Sequence, residues 1–271
     1  MALTIDVTGK TVVVIGGTSG INRGIAELYA EHGAKVAVAS RSQDKVDDTV
    51  AALKAHGAEA MGFAADVRDY DAIVSGLAQV AETFGEIDVL VSGAAGNFPA
   101  TVNAMSPNAF KSVVDIDLLG TMHVMKAAFP HLRKPGASVI NISAPQAFLP
   151  MQGQAHVCAA KAGVDMITRT LAMEWGPDGI RVNSVVPGPI EGTEGMARLA
   201  PTPEMLSKVA GTVPIGRLGQ PGDIGMACMF LGSDLGAYVS GQILAVDGGW
   251  SQAGCGDMSS FLGKMLRQMG G

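Results

Sequence analysis

Thr11-Val12-Val13-Val14-Ile15-Gly16-Gly17-Thr18-Ser19-Gly20-Ile21-Asn22-Arg23-Gly24-Ile25 decides the fold. A run of β-branched residues, Thr11 to Ile15, reads as a strand. The glycines after it let the backbone turn tightly and approach a pyrophosphate, which sits at the N-terminus of the helix opening near Ile21. A strand, a glycine turn and a helix in that order begin a parallel α/β sheet.

Outward from this stretch the alternation repeats. Lys35–Ala39, Ala60–Ala64, Ile87–Val91, Ser138–Ile142, Arg181–Val185 and Ile243–Val246 read as further strands. Helical stretches lie near Asp44–His56 and Tyr70–Phe84, a long helix begins near Pro107, and another carries Lys161. The pattern predicts a Rossmann-like, doubly wound sheet of seven parallel strands with helices on both faces, as a single domain over residues 1–271. Ligands of such a sheet sit at the carboxyl ends of the strands, where the strand order reverses. Pro187–Pro214 breaks the alternation and is too long for a connecting turn, so it reads as a lid or substrate loop. Its Met196 and Met205 suit an adaptable apolar wall.

An apolar content of 48% over 271 residues fits a sheet buried on both faces. A net charge of −6, with the basic residues scattered, argues against nucleic acid as a partner. No window reaches the roughly 18 apolar residues of a membrane span. Met1-Ala2-Leu3-Thr4-Ile5-Asp6 has no charged n-region, and Gln268-Met269-Gly270-Gly271 is not a Ser-Lys-Leu address. Three widely spaced cysteines, Cys158, Cys228 and Cys255, read as free thiols of a reducing cytoplasm. The five histidines make no zinc-ligand spacing, so no metal is expected.

The end of the second strand chooses between the nicotinamide cofactors. An acid there binds the ribose 2′-hydroxyl, and an arginine pairs with a 2′-phosphate. The chain reads Ala39-Ser40-Arg41-Ser42, with no acid. Arg41 forks onto phosphate, Ser40 or Ser42 can add a hydroxyl, and NADP(H) is the expected cofactor.

From Thr11 to Gly249 these motifs resemble the short-chain dehydrogenase/reductase family. Gly16 and Gly20 match the first two glycines of its Gly-x-x-x-Gly-x-Gly turn, and Asn22 stands at the third. The resemblance implies that Gly16, Thr18, Ser19, Gly20 and Ile21 cradle the pyrophosphate. It implies that Asp66-Val67 caps the adenine and that Gly93 and Ala94, within Ser92-Gly93-Ala94-Ala95-Gly96, leave room for the riboses. Pro187-Gly188-Pro189-Ile190 then lies beside the nicotinamide.

The ordinary members share an active site of Asn, Ser, Tyr and Lys. Here the corresponding positions hold Asp117, Ala144, Val157 and Lys161. Ser143 is one residue early, so its hydroxyl is expected to turn toward the cofactor. On a helix Val157 and Lys161 share a face, where a tyrosine would give a proton to a carbonyl oxygen. Valine has none to give, so either the chain is silent or it protonates elsewhere.

The replaced set resembles one branch of the family, the 2,4-dienoyl-CoA reductases, most closely the peroxisomal type. Ala94-Ala95-Gly96-Asn97-Phe98, Asp115-Ile116-Asp117, Glu174-Trp175-Gly176-Pro177 and Gly188-Pro189-Ile190-Glu191-Gly192-Thr193-Glu194-Gly195 carry that resemblance. It implies hydride delivery from NADPH to the far end of a conjugated dienoyl thioester, then protonation of the α-carbon by water. Lys161 would hold the nicotinamide ribose, Asp117 would orient Lys161 and the water chain, and Asp247 either holds the protonating water or only shapes the Asp247-Gly248-Gly249 turn. His156, one residue off the Lys161 face, reads as a structural hydrogen-bonder and Cys158 as a small apolar side chain. Phe98, Phe148, Leu149, Met196 and Leu199 are candidate walls for an acyl chain, with Arg198 and Lys208 for CoA phosphates. The resemblance also implies a homotetramer built in part on the Lys161 helix, whose Met166, Thr170 and Met173 face suits either an interface or the core. Besides a dienoyl-CoA reductase, a reductase of another carbonyl or enoyl substrate and a silent NADP-binding subunit stay open.

Overall fold

The computed structural model describes residues 5–253 and 256–268; Cys255 and both chain ends, 1–4 and 269–271, lie outside the described residues. Seven strands form the sheet: β1 (Thr11–Ile15), β2 (Lys35–Ser40), β3 (Ala60–Ala64), β4 (Val89–Ser92), β5 (Ser138–Ile142), β6 (Arg181–Pro187) and β7 (Ile243–Val246). They pair in parallel in the order β3-β2-β1-β4-β5-β6-β7. The chain winds outward from β1 to β3, then returns to β4 on the other side. The loops after β1 and β4 therefore diverge and open the crevice in which doubly wound sheets bind ligands.

Ten helices are described: α1 (Gly20–Glu31), α2 (Gln43–Ala55), α3 (Tyr70–Phe84), α4 (Pro107–Val113), α5 (Gly120–Ala128), α6 (Ala155–Glu174), α7 (Glu194–Leu199), α8 (Pro203–Thr212), α9 (Pro221–Gly232) and α10 (Gly256–Gln268). Two cores follow from the period-2 alternation of the strands. Val12 and Val14 pack with α1, α2 and α9 on one face. Val13 and Ile15 pack with α3, α5 and the end of α6 on the other. Each fully buried aliphatic side chain contributes about 1.5–3 kcal/mol. Across the first core Tyr29, itself fully buried, donates its hydroxyl to the Cys228 carbonyl at 2.8 Å. No described helix is long and apolar enough to cross a membrane.

Several elements depart from the sequence-based expectation, α10 among them. The long helix from Pro107 is interrupted by a π-helical segment, Val114–Leu119, between α4 and α5. The supposed open loop at 187–214 contains α7 and α8, each capped by a threonine: Thr193 accepts from Met196 N and Thr202 from Met205 N. Met196, Val209 and Val213 hold this pair against Met151, Trp250 and α10. Helices this short take their stability from packing rather than from a visible period. α9 had no counterpart in the reading, because Ile224, Cys228, Met229 and Leu231 are buried together and leave no polar stripe.

Candidate active site

At the carboxyl end of the sheet two adjoining cavities meet. One, of about 300 Å³, runs from the β1 turn past the ends of β2 and β3. The other, of about 460 Å³, lies over the ends of β4, β5 and β6. Ser19, Asn22, Gly93, Ala95 and Glu194 line both.

The first is a nucleotide-shaped cleft. Gly16, Thr18, Ser19, Arg41, Asp66, Val67, Gly93 and Ala94 all line it, and Gly20 and Ile21 line the second cavity where α1 begins. Gly16 has φ +78°, and a Cβ there would come within 2.9 Å of Ala94 N, so the turn is open only to glycine. Ser19, which precedes α1, lines both cavities and Gly20 and Ile21 line the second, so the helix opens where an anion can bind. At the end of β2 the cations Arg41 and Lys45 face the cleft with Ser40 and Ser42. Ser42 is already engaged as the cap of α2, accepting from Lys45 N. Asp66 is held by Arg68 through two side-chain contacts, at 2.9 and 2.6 Å, which lower its carboxyl below the usual range. These residues fit a nicotinamide dinucleotide.

The second cavity brings together Asp117, Ala144, Val157 and Lys161. Lys161 rises from α6 and donates to the Ile142 carbonyl at 2.9 Å, with its ammonium 3.5 Å from Asp117 Oδ2. Both side chains are buried. Asp117 stands in the π-helical segment, where the Gly120 amide bonds back five residues to Asp115 O. Such wide turns cluster at functional sites because they redirect a side chain. Thr121 Oγ1 donates to the Asp117 carbonyl at 2.6 Å, and Gly96 N donates to Asp117 Oδ1 at 2.7 Å. Asp117 Oδ2 is enclosed without a hydrogen bond. Val157 and Ala144 line the same cavity and present no hydroxyl. Pro187, Gly188 and Ile190 form its floor, and Met196 a wall.

Several sequence expectations meet a different geometry. Asp247 does not line the Lys161 cavity; it borders a smaller one of about 110 Å³ beyond Pro189 and Ile190. Its two oxygens accept from Gly249 N at 2.9 Å and Ser251 N at 2.8 Å, so it shapes the turn. Ser143 borders the cavity, and its hydroxyl is buried without a hydrogen-bond partner. Phe98 is not among the cavity walls: it packs on Val157 and Ala160, with its ring 4.5 Å from that of His156. Phe148 is 49% exposed and lines neither cavity. His156 is buried against the Phe98 ring, and burial lowers its pKa. Leu149 joins the Met151 cluster, and the side chain of Leu199 lies outside the described residues. Arg198 is engaged at home, donating to the Asn97 carbonyl at 2.9 Å and pairing with Glu194.

Two residues escaped the sequence reading. Asn22, at the third glycine position, donates to the Gly93 carbonyl at 2.8 Å and ties α1 to the end of β4. Lys45 stands beside Arg41 at the cleft; its signal was its place one turn after the end of β2.

A model of the family described as Enoyl-(Acyl carrier protein) reductase matches residues 15–251. The chain is 42% identical over 253 residues to a peroxisomal 2,4-dienoyl-CoA reductase [(3E)-enoyl-CoA-producing] of Arabidopsis thaliana, covering 90% of this chain and 85% of that one. It is 36% identical over 243 residues to a "Probable 2,4-dienoyl-CoA reductase [(2E)-enoyl-CoA-producing]" of Bacillus subtilis, covering 89% and 96%. Among solved structures, a short chain dehydrogenase from Bacillus anthracis superposes with a TM-score of 0.83 at 36% identity, covering 91% and 98%. The seven-stranded fold, the glycine turn and these matches across nearly the whole chain make it a member of the short-chain dehydrogenase/reductase family, an oxidoreductase built for a nicotinamide cofactor.

Proposed function

We propose that the chain is an NADPH-dependent reductase of 2,4-dienoyl-CoA thioesters, with Asp117 and Lys161 as its working groups. The observation that carries this reading is a buried Asp117–Lys161 pair in a cavity where Val157 and Ala144 replace the family's hydroxyls. The relatives are named 2,4-dienoyl-CoA reductases, and reduction of a dienoyl thioester leaves no alcohol oxygen for a phenol to protonate. Arg41 and Lys45, with no acid at the end of β2, suit a 2′-phosphate and hence NADP(H) over NAD(H).

A bound nicotinamide supplies a hydride to the far end of the diene. Charge then collects on the thioester oxygen, and the Lys161 ammonium lends it a positive potential in a largely water-excluded site. Lys161 also offers its remaining protons to the ribose hydroxyls. Asp117, pinned by Gly96 N, holds Lys161 in place through its Oδ2, and the same oxygen orients a water. That water protonates the α-carbon, leaving a (3E)-enoyl product of the kind named for the Arabidopsis relative. Met151, Met196, Val209 and Trp250 form the apolar side along which the acyl chain lies. Asp247 serves as the support of its turn. A cytoplasmic homotetramer completes the reading. Cys158 and Cys228 are free thiols, and Met166 and Met173 stand 58% and 81% exposed on α6, which removes them from the core.

The test is NADPH consumption with trans,trans-2,4-hexadienoyl-CoA, beside a 3-ketoacyl-CoA and an Asp117→Ala variant. Oxidation with the dienoyl substrate alone, lost in the variant, is the expected result. Reduction of the ketone would overturn the mechanism. NADPH binding without turnover would turn Val157 and Ala144 into marks of a silent subunit.

A further inference from the structure

The apolar wall of the Lys161 cavity is thin. Met151, Met196, Val209 and Trp250 line the cavity. The same four belong to a small cluster apart from the two sheet cores, whose other buried members are Ala200, Val213, Leu262 and Leu266. Leu262 and Leu266 come from α10 and are 1% and 8% exposed. One turn apart on a helix, they share a face, while Lys264 and Arg267 are exposed. A single layer of side chains therefore separates the cavity from α10.

Two glycines fix how close α10 lies. A Cβ on Gly263 would collide with the side chain of Gln152, and a Cβ on Gly153 would collide with Leu266 Cδ1. α10 is thus seated on the Gln152-Gly153 segment that follows Met151. That segment is itself tied down, because Ala100 N donates to the Gly153 carbonyl at 2.9 Å. Trp250 is held as well: its indole N–H donates to Thr212 Oγ1 at 3.0 Å, at the end of α8. The two methionines are the yielding part of the wall, since an unbranched thioether changes rotamer to fill or vacate space. Behind this layer stand two leucines on a seated helix.

We propose that α10, through Leu262 and Leu266, is the chain-length gauge of this site. The inference rests on the dienoyl-reductase reading above. A cavity of about 460 Å³ that must also admit a nicotinamide ring leaves room for a short or medium acyl chain. Such a chain runs along Met151, Met196 and Trp250 while the methionines adapt. Each methylene that gains this apolar contact is worth roughly fourfold in kcat/KM. A longer chain meets the leucines and has to push α10 off Gly153. The substrates that fit are medium-chain dienoyl thioesters, with long chains rejected.

The experiment measures kcat/KM with NADPH and 2,4-hexadienoyl-, 2,4-decadienoyl- and 2,4-tetradecadienoyl-CoA. It compares the wild type with Leu262→Ala, Leu262→Phe and Lys264→Ala. The wild type is expected to rise from the hexadienoyl to the decadienoyl substrate and to fall at the tetradecadienoyl one. Leu262→Ala vacates space behind the wall, so the ratio of tetradecadienoyl to decadienoyl activity should rise roughly tenfold or more, while hexadienoyl activity holds. Leu262→Phe should lower decadienoyl activity and spare the hexadienoyl substrate. Lys264→Ala, on the exposed face, should keep the wild-type profile. Should Leu262→Ala loosen the helix, Leu262→Phe keeps it packed and still decides. Equal losses with all three substrates, or an unchanged profile in both Leu262 variants, overturn the proposal. A wild type that oxidises no NADPH with any of the three sinks the underlying reading instead. Trp250 fluorescence, read in a Trp175→Phe background as hexanoyl-, decanoyl- and tetradecanoyl-CoA are added, then still tests the gauge. Preference for decanoyl over tetradecanoyl, reversed by Leu262→Ala, supports it, and binding that ignores chain length overturns it.

Discussion

Val157 removes a phenol, but it also fills space. It packs with Val113, Ala160, Phe98 and Leu118 beneath the Lys161 cavity. A Val157→Tyr variant restores the family's residue without restoring its site, because Ala144 still offers no hydroxyl and the larger side chain crowds Val113, Phe98 and Leu118 on the side away from the cavity. Overpacking of this kind costs about 1–3 kcal/mol. The expected outcome is a lower melting temperature and no reduction of a 3-ketoacyl-CoA. Vigorous ketone reduction at unchanged stability would show that the phenol alone was missing. At the other end of the cleft, Arg41→Ala should weaken NADPH binding by roughly 10- to 100-fold, the value of a charge-assisted hydrogen bond to phosphate, and leave NADH binding unchanged. Fluorescence titration with both cofactors reads the difference, and equal losses for the two would sink the 2′-phosphate assignment.

At the scale of elements, the site depends on irregularities within regular structure. The π-helical segment places Asp117, and the Pro187-Gly188-Pro189 stretch brings the end of β6 against the turn after β7. A Cβ on Gly188 would come within 2.6 Å of Asp247 Cα and 2.7 Å of its Cβ. Backbone stands on that side, and two prolines stiffen the segment, so neither partner yields cheaply. Gly188→Ala is expected to shift this floor, costing about 1–3 kcal/mol by the overpacking rule and weakening NADPH binding. Thermal unfolding and a binding titration check it, and a variant with wild-type values in both would show that the floor is pliable.

For the whole molecule, burial of a basic group makes stability depend on pH. His156 has its pKa lowered, chiefly by desolvation, with the Phe98 backbone and the Asp117 charge opposing. The folded protein therefore refuses a proton that the unfolded chain accepts below its ordinary value of 6.5. Its contribution is intact above that pH and is lost as pH falls through 6.5 toward the lowered folded value, with a slope of at most about 1.4 kcal/mol per pH unit. Asp165, whose folded pKa is raised, acts with the opposite sign: the fold keeps a proton that the unfolded chain has lost above the ordinary value of 3.8. Comparing the wild type with His156→Gln isolates the histidine. Urea unfolding between pH 7 and 5 should show a shallower decline in the variant, and parallel curves would place His156 in a wetter setting than the one described.

The sequence by itself determined the sheet, its parallel winding and the cofactor turn. Those follow from local signals: β-branched runs, a glycine at positive φ, and helices of several turns with an apolar stripe. It also picked out Asp117, Val157 and Lys161, which can be counted along a motif and which the structure brings to one cavity. Only the tertiary structure decided which groups face one another. It tied both Asp247 oxygens to amides of their own turn and packed Phe98 on Val157 and Ala160, outside the cavity lining. It also revealed the π turn and the short helices α7 and α8. Contacts of that kind come from packing between segments far apart in the chain, and no local periodicity records them.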